Sequence, residues 1–276
     1  MKEHSAATDV VVNCADRLAS AELQRRPIEP LSSLFPQLSL VDAYRIQELN
    51  VSRRTRQGER VVGHKVGLTA KAMQELFGVR EPDYGHLLDT MIHDAHAPLD
   101  LSRLIDPQIE VEPAFVLRKQ LVGPKVAIAE VLAATDYISV CFEVIDSRIA
   151  DWRIKLQDTV ADNGSSARVI LGSQRMRPAG LALENLETFL EVDGVIVEAG
   201  NTGAILGHPA NGVAWLANKL AQFGVALEAG EIVLPGTCTR SCRIAGHRNV
   251  RGRIVGLGEV SIELQNAPFV SKARQH

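Results

Sequence analysis

The sequence predicts an α+β fold with a small helical N-terminal lobe. Helical periodicity dominates the first 58 residues, and the short apolar runs typical of strands prevail from Glu59 onwards. The many strands do not alternate with helices in the regular rhythm of a doubly wound sheet. We therefore expect two domains, at residues 1–58 and 59–270.

The composition is typical of a compact soluble enzyme. The 276 residues are 46% hydrophobic, which is enough for a sizeable core. A net charge of −3 without a basic stripe argues against a nucleic-acid partner. No apolar run approaches the ~20 residues of a membrane span, and the N-terminus lacks an export signal. Together with four cysteines that fit a reduced compartment, these features predict a cytoplasmic protein without a membrane partner.

Two helices are predicted in the N-terminal lobe. An apolar stripe over residues 6–24 ends before Pro27. Ser39 is expected to cap a second helix at residues 40–57, and Gly58 is expected to end it.

The first strand after the lobe contains a lysine. Residues 60–68 are predicted to form this strand, with Lys65 between two glycines, where a backbone can approach a ligand closely. The lysine could extend to solvent or place a positive charge beside an anionic substrate. Thr69 is expected to cap a short helix that ends at Gly78. Asp83 follows in a predicted turn, where a catalytic carboxylate could lie.

Three acidic residues occur in apolar strand contexts. Glu110 and Glu112 alternate with apolar residues in one predicted strand, and Glu143 lies inside a second apolar run. These acids could line a solvated sheet face, with Glu143 paired to an arginine. Neighbouring carboxylates on an apolar strand, however, repel and lose hydration unless a cation neutralises them. The simplest interpretation is one hard divalent cation, and oxygen-only ligation favours Mg²⁺ or Mn²⁺ over zinc.

The C-terminal half contains further strands and one helix. The polar segment at residues 151–166 predicts a functional loop with short helical turns. Asp193 and Gly194 predict a hairpin turn between two apolar runs. A helix and two strands complete the predicted elements, at residues 210–223, 231–234 and 254–264.

Six segments of the chain resemble one known group of enzymes. They are GHKVGLT (63–69), EPDYG (81–85), EVE (110–112), FEVIDSR (142–148), DTVADN (158–163) and GHPANGVAWLAN (207–218). Their order and spacing are similar to the 2-keto-4-pentenoate (2-hydroxypenta-2,4-dienoate) hydratase and 4-oxalocrotonate decarboxylase group of the fumarylacetoacetate hydrolase superfamily. The similarity extends over about residues 19–264.

The resemblance implies a fumarylacetoacetate-hydrolase-like mixed β-sandwich roll behind the helical lobe. It implies a homo-oligomer, a pentamer or decamer, with Mg²⁺ or Mn²⁺ held by Glu110, Glu112 and Glu143. It implies catalytic roles for Lys65 and Asp83. It also implies substrate-binding roles for three polar residues, Asn163, Ser165 and Thr239.

The chain departs from the group's pattern at two places. Pro113 replaces a branched apolar residue, and proline favours a strand edge or a bulge. Residues 245–249 replace a Gly-Asp turn, which leaves the pairing of the C-terminal strands open.

The activity implied by the resemblance is hydration of 2-hydroxypenta-2,4-dienoate to 4-hydroxy-2-oxopentanoate, in the meta-cleavage catabolism of aromatic compounds. Three carboxylates around a 2+ ion leave a charge of −1 and the substrate is anionic, so Lys65 is the natural balancing cation. Asp83 could act as general base, while Lys65 could stabilise the enolate or relay a proton. The sequence does not assign these two roles.

Two alternatives stay open. A 4-oxalocrotonate decarboxylase needs the same enolate and loses CO₂ where the hydratase adds water. A non-catalytic subunit associated with a pathway decarboxylase or aldolase is the other, because such chains associate within this group. Residues 151–159 resemble the hydratase branch and therefore favour the hydratase over both alternatives.

Overall fold

The N-terminal helices form as the sequence predicts. The computed structural model describes residues 2–71, 74–75 and 78–265, so part of the predicted helix between Thr69 and Gly78 and the predicted domain end at residues 266–270 lie outside it. The lobe contains helices α1 (Lys2–Gln24), α2 (Leu31–Leu34) and α3 (Leu40–Arg56). Ser39 caps α3 through a capping box with Asp42.

The lobe is not isolated from the rest of the chain. Leu18 and Ile46 share one buried cluster with Ile149 and Val160, which lie after the predicted boundary. The division at residues 58 and 59 stays a prediction.

Strands and shorter helices make up the remainder. The described helices are α4 (Ile128–Ala134), α5 (Leu156–Ala161) and α6 (Pro209–Leu220). The strands are β1 (Val61–Gly67), β2 (Asp83–Leu88), β3 (Ile92–His93), β4 (Leu99–Asp100), β5 (Gln108–Leu117), β6 (Thr135–Ile145), β7 (Ser166–Leu171), β8 (Glu187–Val192), β9 (Val195–Asn201), β10 (Ile232–Leu234), β11 (Cys242–Arg243), β12 (Asn249–Ile254) and β13 (Gly258–Gln265). The predicted α+β class is confirmed. None of the described helices is long and apolar enough to cross a membrane.

Two sheets pack face to face around the main core. The larger sheet has the order β2-β1-β10-β5-β6-β7-β3, with β11 pairing with β5, and the smaller has the order β4-β13-β12-β8-β9. Val111 and Phe142 point between the sheets, where they meet Gly252 of β12 so closely that a Cβ there would collide with both side chains. The opposite face of β5 and β6 is therefore left for other side chains.

Pro113 lies in the middle of β5, not at an edge or bulge of the β5–β6 pair. It is in regular register with Val140 of β6. On its other side β5 is paired near its two ends only, by β10 at Val116 and by β11 at Ile109. The proline occupies the interval between these two partners, where no ladder hydrogen bond is required of it.

The turn that replaces the Gly-Asp turn is held by the neighbouring hairpin. Asp193, in the predicted turn between β8 and β9, accepts hydrogen bonds from the backbone N–H groups of Arg248 and Asn249 at 2.9 and 3.0 Å. The β12–β13 pairing that follows is regular.

A candidate metal centre beside Lys65 and Asp83

The register of two central strands brings the three acids together. Glu110 of β5 lies directly opposite Glu143 of β6, and Glu112 lies two residues along on the same face. One carboxylate oxygen from each lies within 4.8 Å of the others. Glu112 and Glu143 are each 1% exposed. Glu110 is half-buried, and three carboxylates this close in such a setting require positive charge.

The electrostatics of these acids are those of a cation site. Burial and then the charge of Glu143 raise the pKa of Glu110 to about 7. Burial followed by Glu143 also raises the pKa of Glu112, although Glu112 accepts a 2.8 Å hydrogen bond from the Gly236 N–H. Neither oxygen of Glu143 accepts a hydrogen bond within the described residues. The unsatisfied oxygens and the all-carboxylate donor set fit a hard divalent ion.

Lys65 places a positively charged side chain beside the three acids. It projects from β1, is 5% exposed, and places its Nζ 3.4 Å from Glu143 Oε1. Burial lowers the pKa of the Lys65 ammonium, but the fields of Glu143, Asp83, Glu110 and Glu112 outweigh it, so the pKa is raised. Lys65 is therefore a buried cation and does not extend to solvent.

Asp83 lies in a strand and not in a loop. It is the first residue of β2 and is paired with Gly67 of β1. The Asp83 carboxylate lies against Gly67, at a place where the Cβ of any other residue would collide with it. Asp83 is 3% exposed, and its Oδ1 has no hydrogen-bond partner among the described residues. Burial raises the pKa of Asp83, against the opposing effect of Lys65.

A loop in left-handed conformation covers the lysine. Asn163, Gly164 and Ser165 have φ values of 55°, 60° and 56°. Runs of such residues are strained and persist only where their surroundings hold them. The Asn163 amide holds this loop by bonding the N–H and C=O of His86 at 2.8 and 2.9 Å. Gly164 consequently lies directly over the Lys65 side chain.

A buried ion pair anchors the start of the same loop. Arg148 Nε lies 2.5 Å from Asp162 Oδ1, and Arg148 Nη2 donates to the Asp162 carbonyl at 2.6 Å. Both side chains are buried. The FEVIDSR and DTVADN segments therefore meet behind the site, which explains how residues far apart in sequence position one loop.

A cavity of about 200 Å³ lies in front of these groups. Five predicted site residues line it: Lys65, Asp83, Glu110, Glu112 and Ser165. The sequence interpretation missed other lining residues, among them Gln108, Ile145, Trp152, Ile154, Thr237 and Ser241. Gln108 could have been found, since it lies two residues from Glu110 on the same strand face.

The three residues given substrate-binding roles occupy different places. Ser165 lines the cavity and donates to Asp162 Oδ2 at 3.3 Å. Asn163 lies behind the cavity wall, with its amide engaged by His86. Thr239 does not line the cavity and packs against Gly200, whereas Thr237 and Ser241 do line it. The substrate-binding roles of these three residues stay predictions.

Comparison with known proteins gives relatives from one family of enzymes. The family described as fumarylacetoacetate (FAA) hydrolase C-terminal matches residues 89–265. A 2-hydroxypent-2,4-dienoate hydratase of Pseudomonas putida is 46% identical over 76% of this chain and 96% of its own. A 4-oxalocrotonate decarboxylase of Pseudomonas sp. (strain CF600) is 40% identical over 92% of this chain and 96% of its own. A solved 4-oxalocrotonate decarboxylase from Pseudomonas putida G7, complexed with magnesium and adipate, superposes with a TM-score of 0.88 at 36% identity, covering 94% of this chain and 98% of that one.

Proposed function

This chain belongs to the fumarylacetoacetate hydrolase family, and from that premise we propose that it is a metal-dependent hydro-lyase. The reaction is hydration of 2-hydroxypenta-2,4-dienoate to 4-hydroxy-2-oxopentanoate, in the meta-cleavage catabolism of aromatic compounds. The observation that carries the proposal is the cluster of Glu110, Glu112 and Glu143 with Lys65 at its side. The relatives named as hydratases support hydration as the chemistry of this cluster.

The cofactor we propose is Mg²⁺ or Mn²⁺, held by Glu110, Glu112 and Glu143. The donor set supports it, because both ions prefer carboxylate oxygens and leave positions for other ligands. When bound, such an ion would act as a Lewis acid on the 2-oxo acid form of the substrate and stabilise its enolate.

Lys65 would stabilise negative charge as it develops on the substrate. Its ammonium is fixed by burial and by Glu143, so it needs no reorganisation during the reaction. It would face the substrate carboxylate or the enolate oxygen. Gly164 keeps this ammonium in place from the opposite side.

Asp83 would act as the general base. Asp83 lines the cavity, and its buried Oδ1 has no hydrogen-bond partner among the described residues, so this carboxylate keeps an uncommitted proton acceptor. After the dienol has become the 2-oxo-3-enoate, the water oxygen bonds to C4 and its proton passes to Asp83. The electron pair of the C3–C4 double bond moves into the enolate, and C3 then takes up a proton to give the product.

Consumption of 2-hydroxypenta-2,4-dienoate by the purified protein tests this proposal. We expect turnover in Mg²⁺ or Mn²⁺ and none in EDTA. Asp83→Asn should lose hydration while it still binds metal and oxalate. Release of CO₂ from 4-oxalocrotonate with an untouched dienoate would instead support the decarboxylase.

The quaternary and cellular setting are further proposals. We propose a homo-oligomer, a pentamer or decamer, that associates with a pathway decarboxylase or aldolase in the cytoplasm. Exposed Val195, Ile196 and Val197 on the edge strand β9 support self-association, because such edges are normally covered. Free cysteines, including buried Cys141 and Cys238, are compatible with a reducing compartment. Sedimentation of the purified protein measures the oligomeric state, and a monomer would overturn that part.

A further inference from the structure

The cavity has a direction that the strand register defines. Glu110 pairs with Glu143, and two residues towards the start of β5, Gln108 pairs with Ile145. A strand rises by about 3.4 Å per residue, so this second pair lies about 7 Å from the acids. The Trp152 indole N–H donates to the carbonyl of Asp106 at 3.0 Å, two residues further along. The cavity therefore leads from the acids towards Ile145 and Trp152.

The side chains at this far end are uncharged: three are apolar, and Gln108 and Ser241 are paired with each other, the Ser241 hydroxyl donating to Gln108 Oε1 at 2.6 Å. Ile145 is buried, and Trp152 and Ile154 are half-buried. Trp152 is fixed by its hydrogen bond and by a left-handed backbone with a φ of 55°. The side chain that reaches this end of the cavity is thus held by its own strained turn.

The described residues that line the cavity carry positive charge at its acidic end. Among the described residues that line the cavity, Lys65 is the only lysine or arginine, and it lies 3.4 Å from Glu143. Three arginines beside lining residues are paired with acids: Arg243 with Asp106 at 3.0 Å, Arg153 with Glu29 at 2.9 Å and Arg240 with Glu198 at 2.9 Å. Lys71 and Lys155, which adjoin lining residues, are exposed. A second carboxylate at the far end would lose hydration without gaining a counter-ion.

We infer that the far end of the substrate is a short uncharged alkyl group, and that Ile145, Trp152 and Ile154 select it against a carboxylate. The inference rests on the proposed function, whose chemistry places C1 and C2 of the substrate at the acids. The chain of carbon atoms then directs C5 and its substituent towards the apolar end. The substrate class is 2-hydroxy-2,4-dienoates with hydrogen or a small alkyl group at C5.

Comparison of three substrates tests this selection directly. Values of kcat/KM are measured with Mg²⁺ for 2-hydroxypenta-2,4-dienoate, its 5-methyl homologue and its 5-carboxy analogue. We expect the methyl homologue to equal or exceed the parent. The carboxy analogue should be at least ~10-fold poorer, the lower range of discrimination by an apolar pocket.

A positive charge at the far end of the cavity should shift the substrate preference from the methyl homologue towards the carboxy analogue. Ile154→Lys, at a half-buried position, should raise the carboxy-to-methyl ratio of kcat/KM by ~10-fold or more. Val122→Lys, at an exposed position between β5 and α4, makes the same change in net charge and should leave the ratio unchanged. Ile154→Ala provides a second variant and should improve turnover of longer 5-alkyl substrates relative to the methyl homologue.

The possible failures are distinguishable. A wild-type protein that hydrates the carboxy analogue as well as the methyl homologue overturns the specificity inference and leaves the hydratase proposal standing. An Ile154→Lys ratio equal to that of Val122→Lys also overturns it. If no dienoate is hydrated with Mg²⁺ or Mn²⁺, the proposed function itself fails.

Discussion

Among single residues, Lys65 has the greatest effect on the charge balance of the site. Lys65→Met keeps a side chain of similar length and removes the charge that lies beside Glu143. We predict that kcat falls by about 10²–10³, as expected for loss of one fixed electrostatic stabiliser. The protein should stay folded, as thermal unfolding with Mg²⁺ would report. Lys219→Met is the control, because it removes an ion pair with Glu81 at the surface and should retain wild-type kcat. Equal kcat values for the two variants would contradict the role of Lys65.

Gly164 has a similarly local role that one methyl group can test. A Cβ at this position would collide with Lys65 Cε, and the φ of 60° is unfavourable for other residues. Gly194 has a φ of 82° and open space around it. Gly164→Ala and Gly194→Ala should each lose about 1 kcal/mol of stability from backbone strain. Only Gly164→Ala should also lose turnover, measured as kcat, and a Gly164→Ala enzyme with normal kcat would show that Lys65 tolerates displacement.

At the scale of elements, β1 and β2 hold two histidines on the face opposite Lys65, buried His64 and half-buried His86. Burial and then His86 lower the pKa of His64 to about 3, and burial lowers the pKa of His86 to about 4. Glu231 is the acidic group facing this pair, with its Oε2 3.9 Å from His64 Nε2. Both histidines have an ordinary pKa of 6.5 when unfolded, so below pH 6.5 the unfolded chain binds protons that the folded chain does not.

The histidine pair therefore predicts a stability loss in acid. Each histidine should reduce the free energy of unfolding by about 1.4 kcal/mol per pH unit between pH 6.5 and about 4. His64→Gln should remove its own share, about 2 kcal/mol at pH 5. Urea unfolding of wild type and variant at pH 7.5 and pH 5 measures the difference, and the buried carboxylates cancel because both proteins contain them. Parallel pH dependence in the two proteins would show that His64 is not buried in neutral form.

The same scale shows what the sequence could and could not predict. The α3 helix and the β8–β9 hairpin were predictable because their signals are local: the Ser39 capping box and the Asp193-Gly194 turn. The parallel pairing of β1 with β10 was not, because it joins residues about 170 positions apart. The sequence predicted a turn at Asp83 because its local residues are typical of turns. Asp83 belongs to a strand only through its pairing with Gly67 of β1, which the local sequence does not reveal.

The residues of the candidate site also divide into those with a local signal in the sequence and those without one. Glu110, Glu112 and Glu143 were identifiable because charge in an apolar strand is unusual and needs a cause. Ile145 and Ile154 were not, because an apolar residue in an apolar context gives no functional signal. Their contribution depends on the direction of the cavity, which exists only after β5, β6 and the turn at Trp152 have assembled.

For the whole molecule, metal binding should increase the free energy of unfolding. At a metal concentration of about 100 times Kd, the wild type should gain about 2.7 kcal/mol over its metal-free form. Glu112→Gln should lose this gain while its metal-free stability changes little, because burial already disfavours the charged form of Glu112. Thermal unfolding in EDTA and in Mg²⁺ measures both quantities, with the exposed Glu187→Gln as control. A Glu112→Gln variant that Mg²⁺ stabilises as strongly as wild type would remove Glu112 from the metal site.

The main expectation for the whole molecule is that this carboxylate cluster supports the addition of water to C4 of a 2-hydroxydienoate. It is tested most directly by turnover of 2-hydroxypenta-2,4-dienoate in ¹⁸O-labelled water with Mg²⁺, followed by mass spectrometry of the product. The product is first returned to unlabelled water, because the C2 keto oxygen exchanges with solvent and the C4 hydroxyl does not. Hydration at C4 predicts one retained ¹⁸O atom, at C4 of 4-hydroxy-2-oxopentanoate, with no product in EDTA. An unlabelled C4, or a dienoate that persists while 4-oxalocrotonate loses CO₂, would contradict it.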